Sequence, residues 1–185
     1  MQAGQRILYL VRHGDYDEHA PDADRLGGGL TELGRRQADA LARRLAALPI
    51  HVIHHSTLRR STETAAIIAA RLPGAPLHPT ELLWDGLPVV PRGYEQLFSR
   101  MPVELIDKDW RRASQAFDIF FRAPLDAAGT NTVTRQVLVC HGNIIRYFAC
   151  RALQAPIDLW ANADAHHCDL SEVLIEASGR TVIRS

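Results

Sequence analysis

The sequence predicts an α/β fold: a three-layer α/β/α arrangement around a mostly parallel sheet, with an antiparallel strand near the C-terminus. Three observations predict it. Short apolar runs alternate with stretches of helical period, as in a parallel sheet covered on both faces. Two of the apolar runs end alike, "LVRHG" at residues 10–14 and "LVCHG" at 138–142. The C-terminal residues read as a hairpin, which brings an antiparallel strand into the sheet.

Taken in order, Ile7–Val11 is a short apolar strand closed by a glycine. After a polar loop rich in Asp and Gly, Thr31 is placed to cap a helix in which Ala38, Leu41, Leu45 and Leu48 form one apolar stripe; Pro49 ends it. "HVIHHS" from His51 is a second strand. A helix over Thr57–Leu72 turns Ala65, Ile68, Ala69 and Leu72 inward. Pro73, Gly74 and Pro76 punctuate the chain before another short extended piece. Residues 84–106 read as irregular and Pro-rich, followed by a helix over Asp107–Arg122. Strand Val137–Cys140 runs into a helix over Asn143–Leu153. The hairpin pairs Cys168–Glu176 with Thr181–Arg184 around Ser178-Gly179. Neither an internal repeat nor a low-complexity linker divides the chain, so residues 1–185 are expected to form a single domain.

Composition narrows the function. The chain has 185 residues, 46% hydrophobic and 23% charged, enough for a sizeable core. Zero net charge gives no overall field for nucleic acid or an anionic membrane. Lys108 is the only lysine, so a Walker-A lysine and a Schiff-base site are both excluded. Cys140, Cys150 and Cys168 form no CxxC pair, which argues against a disulfide framework or a structural zinc. No apolar stretch approaches membrane-spanning length, and "MQAGQRILYLVRHG" lacks the parts of a signal peptide. A cytoplasmic protein without membrane or nucleic-acid partners is the expectation.

The twin strand ends carry the chemistry. In open α/β sheets ligands bind beyond the carboxyl ends of the strands, where strand order switches. If the two strands are neighbours, His13 and His141 face one pocket and Arg12 joins them. Gly14 and Gly142 would let the backbone turn sharply and a ligand approach closely. Two imidazoles, a guanidinium and nearby helix N-termini suit a phosphoryl group: arginine grips phosphate oxygens in a fork, helix N-termini favour anions, and histidine can be nucleophile as well as base.

These motifs resemble those of the histidine phosphatase superfamily, the phosphoglycerate-mutase-like fold. "LVRHG" is similar to its first signature, "STLRRSTETA" at 56–65 to its second motif, "VCHGNIIRY" to its second-histidine motif, and "LLWDG" stands where the family has an acid before a glycine, usually Glu. Within the superfamily, "HHSTLRRSTETAAIIAARLPG", "TELLWDGLPVVP" and "NIIRYFACRALQAP" are similar to the mitochondrial protein Ser/Thr phosphatase branch. That branch carries an N-terminal membrane anchor and a multimerisation segment; this sequence starts just before its first strand, so neither is expected here. A homodimer is left open.

The resemblance implies a role for each residue. His13 attacks phosphorus and forms a phosphohistidine, with its other nitrogen best held by a backbone carbonyl. Arg12, Arg60 (rather than Arg59) and His141 bind the equatorial oxygens, Gly14 belongs to the phosphate site, and no metal or cofactor is called for. Asp85 protonates the leaving oxygen and then assists water, with Glu81 as the alternative acid. Trp84 is a packing residue or a wall that desolvates the acid. His51, His54, His55, His166 and His167 show no HExxH pattern; most read as surface or strand-end residues, and the last two could line the pocket rim. "CHGNIIR" has the Cys140-to-Arg146 spacing of cysteine-dependent phosphatases, but about 0.3 such matches arise by chance in this composition. The β-branched Ile144 and Ile145 also suit that loop poorly. Cys140 is therefore expected in the strand core and Arg146 on a helix near the site. The expected substrate is a phosphoprotein, phosphoserine or phosphothreonine above all. The alternatives are a small phosphorylated molecule, turned over by a phosphomonoesterase or mutase, and a catalytically inactive phosphopeptide-binding module.

Overall fold

A computed structural model describes residues 4–20, 26–124 and 133–184. Residues 21–25, part of the Asp- and Gly-rich loop expected after the first strand, lie outside them. The chain runs β1 (Gln5–Arg12), α1 (Glu32–Leu45), β2 (Val52–Ser56), α2 (Arg59–Ala69), β3 (Leu77–Thr80), α3 (Val103–Phe117), β4 (Val133–Cys140), α4 (Gly142–Ala152), β5 (Leu170–Glu176) and β6 (Thr181–Arg184). One six-stranded sheet has the order β3-β2-β4-β1-β5-β6. β1 to β4 are parallel, β5 pairs antiparallel with β1, and β6 pairs antiparallel with β5 at the sheet edge.

Alternation along β1 divides the core. Leu8 and Leu10 point to one face, with Phe117 of α3, Phe121 just beyond it, and Ile144 and Phe148 of α4. Tyr9 and Val11 point to the other, with Leu41, Leu45, Ala65 and Ile68 of α1 and α2. Adjacent β1 and β4 therefore feed helices on opposite faces, α1 behind one and α4 behind the other. That divergence opens a crevice beyond their carboxyl ends. The register Arg12↔Cys140 makes the two strands stop level, so His13 and His141 emerge side by side.

Local chemistry sets the boundaries. Thr31 Oγ1 accepts from Gly34 N at 3.1 Å and caps α1, with Glu32 in the first turn and Arg43 and Arg44 in the last, as the helix dipole favours. Helix α2 starts at Arg59 rather than Thr57, because Ser56 Oγ accepts from Leu58 N at 3.3 Å and the Thr57 hydroxyl accepts the Trp84 indole N–H. Helix α3 starts at Val103, earlier than expected, and relaxes into a π-turn over Asp118–Arg122. The wider turn keeps Phe117, Phe120 and Phe121 all in the core. Arg6 closes its end, donating to the carbonyls of Phe120, Ala123 and Pro124.

Neither Gly14 nor Gly142 has a left-handed φ. Gly14 is required by close approach instead. A Cβ there would lie 2.6 Å from Gly34 O, where the loop leaving β1 presses against the first turn of α1.

Candidate active site

His13 is 2% exposed at the end of β1. Its Nδ1 lies 2.8 Å from Gly14 O. A carbonyl only accepts, so Nδ1 carries the proton and Nε2 keeps its lone pair, which meets the Nε–H of Arg60 at 3.1 Å. Burial, reinforced by Arg60 and Arg12 and opposed by the Gly14 carbonyl, pushes the imidazole down to about 3. His13 is therefore neutral at physiological pH, the state a nucleophile or base needs.

His141 ends β4 and is fully buried. Its Nε2 lies 2.9 Å from Ser56 Oγ and 3.4 Å from Ser61 Oγ. Ser56 Oγ accepts from Leu58 N and keeps its hydroxyl proton for His141 Nε2; with that bond made, Nδ1 is the protonated nitrogen. That Nδ1 has no hydrogen-bond partner among the described residues and lies 3.9 Å from Asp85 Oδ2. Burial, then Arg60, holds the ring well below the usual imidazole range. The two rings stand 5.1 Å apart.

Arg60, in the first turn of α2, crosses the crevice between them. Its Nη2 reaches Asp85 Oδ2 at 3.3 Å, and its guanidinium carbon sits 4.7 Å over the Tyr16 ring. Arg59, its neighbour, is exposed. Arg12 donates from Nη1 to Ala165 O at 2.7 Å, while its buried Nε has no partner among the described residues.

Asp85 follows a 3-10 turn, Glu81–Leu83, anchored by fully buried Leu83. Emptying that anchor as Ala would cost about 2–5 kcal/mol. The Asp85 side chain is 38% exposed at the mouth of the crevice. Desolvation by the surrounding residues still raises its pKa, against Arg60 first and then the Gly86 N–H. Glu81, the alternative acid, is exposed on the turn. Trp84 packs, its indole donating to Thr57 Oγ1.

Sequence reasoning thus named five residues that converge, Arg12, His13, Arg60, Asp85 and His141. Gly14 has its N–H committed to Thr64 Oγ1 at 3.0 Å, so it serves through its carbonyl rather than as a phosphate donor. Several partners escaped notice: Ser56 and Ser61 behind His141, Thr64 bridging Gly14 N and Arg60 O, and Tyr16 edge-on to His13 at 5.0 Å. Only spacing within "STLRRSTETA" hinted at the first three. Of the remaining histidines, His167 does line the site, 5.4 Å from the His13 ring, on a loop where Cys168 N donates to Arg12 O. His55, at the end of β2, is buried, its Nδ1 on Ser56 O at 2.9 Å. Cys140 is fully buried and its thiol is pushed up to about 12 by desolvation, which leaves no thiolate to attack anything. A cavity of about 550 Å³ between the end of α4 and the β5–β6 turn includes none of these residues.

The arrangement offers one neutral imidazole whose lone pair accepts from Arg60, one imidazole donor, two guanidinium groups and a carboxyl with a raised pKa. It can bind a phosphoryl group, attack it and protonate what leaves. Among the described residues no cluster of His, Cys, Asp and Glu could hold a metal, and no helix is long and apolar enough to cross a membrane.

Over 183 residues, 97% of the chain, the sequence is 36% identical to the mitochondrial serine/threonine-protein phosphatase Pgam5 of Caenorhabditis briggsae, and the match spans 62% of that relative's length. A solved phosphoglycerate mutase from Plasmodium falciparum is similar at TM-score 0.68 and 27% identity, over 98% of this chain and 90% of that one. A mycobacterial glucosyl-3-phosphoglycerate phosphatase shares the fold at TM-score 0.69 and 21% identity, over 97% of each chain. The model of the histidine phosphatase superfamily (branch 1) matches residues 8–85 and 94–185, both strand ends and Asp85 included, and the chain belongs to that superfamily.

Proposed function

We propose that the protein is a metal-independent phosphomonoester hydrolase that works through a phosphohistidine on His13, with phosphoserine and phosphothreonine proteins as substrates. The observation that carries this reading is the state of His13. Its Nδ1–H is fixed on Gly14 O, and its Nε2 lone pair faces the crevice beside Arg60.

The steps follow. A phosphoryl group enters and Arg60 turns its Nε–H from His13 to an equatorial oxygen. Arg12 and His141 Nδ1–H take the other oxygens, so three donors are in place before charge develops. The Nε2 lone pair attacks phosphorus as the ester P–O bond breaks. The departing oxygen takes a proton from Asp85, whose pKa desolvation raises above the ordinary carboxyl value. Asp85, now a carboxylate, accepts a proton from water as the water oxygen attacks phosphorus. The P–N bond breaks, inorganic phosphate leaves, and neutral His13 and protonated Asp85 are restored.

Protein substrates are supported by the likeness to a relative named a serine/threonine-protein phosphatase and by the segment after the acid. Residues 86–102 contain no regular helix or strand and expose Tyr94 and Leu97, apolar side chains that suit a peptide better than a sugar or nucleotide phosphate. A panel of phosphoserine and phosphothreonine peptides, assayed against sugar, nucleotide and glycerate phosphates, tests this. Peptides are expected to give the higher kcat/KM. A small phosphate ester hydrolysed far faster than every peptide would replace the protein substrate with a small-molecule one, and absence of turnover on all of them would leave a phosphopeptide-binding module.

A further inference from the structure

The acid stands on a strap, Asp85-Gly86-Leu87, and the hold on that strap comes from outside the crevice. Arg112 Nη2, on α3, donates to Asp85 O at 2.9 Å and to Asp109 Oδ1 at 2.8 Å. The other oxygen of Asp109 accepts from Leu87 N at 2.8 Å. One ion pair thus grips the strap on both sides of its glycine. A third tie comes from Asn143, two residues beyond His141, whose Nδ2 donates to Gly86 O at 3.1 Å. The Arg112 and Asp109 side chains are 15% and 24% exposed, so the pair is held in place rather than waving in solvent.

Gly86 shows how close the grip is. A Cβ there would lie 2.3 Å from Asp109 Oδ2 and 2.5 Å from Arg112 Nη2. The glycine after the acid is therefore the residue that lets the ion pair close over the backbone. Its φ is not left-handed, so conformational freedom does not explain it.

We propose that the Arg112–Asp109 pair positions the general acid, fixing the Asp85 carboxyl at the distance from His13 that proton transfer to the leaving oxygen requires. The proposal rests on the reading of Asp85 as the acid. Both act on the acid through the Asp85–Leu87 backbone, and the Arg112 charge also works against the rise in the Asp85 pKa. A displacement of about 1 Å in a reacting group can cost on the order of a hundredfold in rate. The loss falls where the acid matters, on esters whose leaving oxygen needs a proton.

The test is the leaving-group dependence of kcat/KM, which reports only steps up to phosphohistidine formation. Phenyl phosphate needs the proton more than p-nitrophenyl phosphate does. Arg112→Gln, Asp109→Asn and Gly86→Ala, which break the same grip in three ways, are each expected to lower kcat/KM for phenyl phosphate by about 10- to 100-fold, and for p-nitrophenyl phosphate by much less. Arg112→Lys can donate to both acceptors from one nitrogen, as Nη2 does, and is expected to recover part of the loss. Thermal unfolding identifies any variant that fails to fold, and the remaining two then decide. Asp85→Asn is the reference. If it shows the leaving-group split and the three variants lower both substrates equally, or neither, the positioning role is wrong. If Asp85→Asn itself shows no split, the assignment of the acid is what fails.

Discussion

The ends of β1 and β4 carry the same His-Gly step and put it to opposite uses. His13 turns Nδ1 to its own backbone and presents Nε2; His141 turns Nε2 to Ser56 and presents Nδ1. One ring shows the pocket a lone pair and the other shows it a proton. The difference comes from neighbours rather than from the motif. A carbonyl beside His13 can only accept, whereas the hydroxyl behind His141, itself accepting from Leu58 N, has a proton to give. The residues just before the histidines diverge in the same way. Arg12 is drawn to Ala165 O at the site, while Cys140, its partner in register, is sealed in the core. Two similar strings therefore present one lone pair and one N–H, which the proposed mechanism uses as nucleophile and phosphate donor, and the asymmetry can be tested residue by residue.

The largest effect is expected at the lone pair. His13→Ala should lower turnover of p-nitrophenyl phosphate by more than about 10⁴-fold, as loss of a nucleophile does elsewhere, whereas Cys140→Ser should keep most of it. A reversal of that order would move the chemistry from β1 to β4. Next comes the donor side. Arg60→Ala is expected to cost about 100- to 1000-fold in kcat, with exposed Arg59→Ala near the unmodified rate. At His141 the two amide substitutions separate the nitrogens. Asn places its amide nitrogen near the position of Nδ1 and Gln near that of Nε2, so His141→Asn should retain more activity than His141→Gln. Equal losses would remove the distinction between the two rings.

A smaller effect is expected at Ser56. Ser56→Ala removes the hydroxyl that fixes the His141 tautomer, a net hydrogen bond worth about 0.5–1.5 kcal/mol. The rate should fall by about tenfold or less, with the fold intact. Acid stability shows the least specific effect. His13 and His54 are held down to about 3 and about 4 from an ordinary 6.5, and His141 well below it, chiefly by burial. The unfolded chain then binds more protons than the native one as pH falls below 6.5. Stability is full above that pH and is lost progressively toward pH 4. His54, stacked on His78 away from the crevice, offers a control. His54→Gln should lessen the acid sensitivity of the melting temperature without changing turnover.

Much of this was legible in the sequence, for identifiable reasons. β1 and β4 are short apolar runs closed by glycine, and β5 and β6 flank Ser178-Gly179, whose glycine does take a left-handed φ. Their patterns are local, so the sequence reveals them. The early start of α3 was hidden because Val103 and Leu105 are exposed and break the apolar stripe a helix normally shows. The π-turn over Asp118–Arg122 has no signal short of packing three phenylalanines together. At the site, the charged and imidazole side chains stood out by type. Ser56, Thr64, Tyr16, Asp109 and Arg112 did not, because hydroxyls and surface-like ion pairs acquire meaning only from what folding brings within about 3 Å.

The central claim is that His13 attacks through Nε2, and phosphorus NMR of the trapped phosphoenzyme tests it most directly. Enzyme quenched during turnover of p-nitrophenyl phosphate should carry phosphate that is labile in acid and stable in base, bonded to Nε2 of His13 and absent from His13→Ala. Phosphate on Nδ1, on His141, or on Cys140 as an S-phosphocysteine would contradict the account.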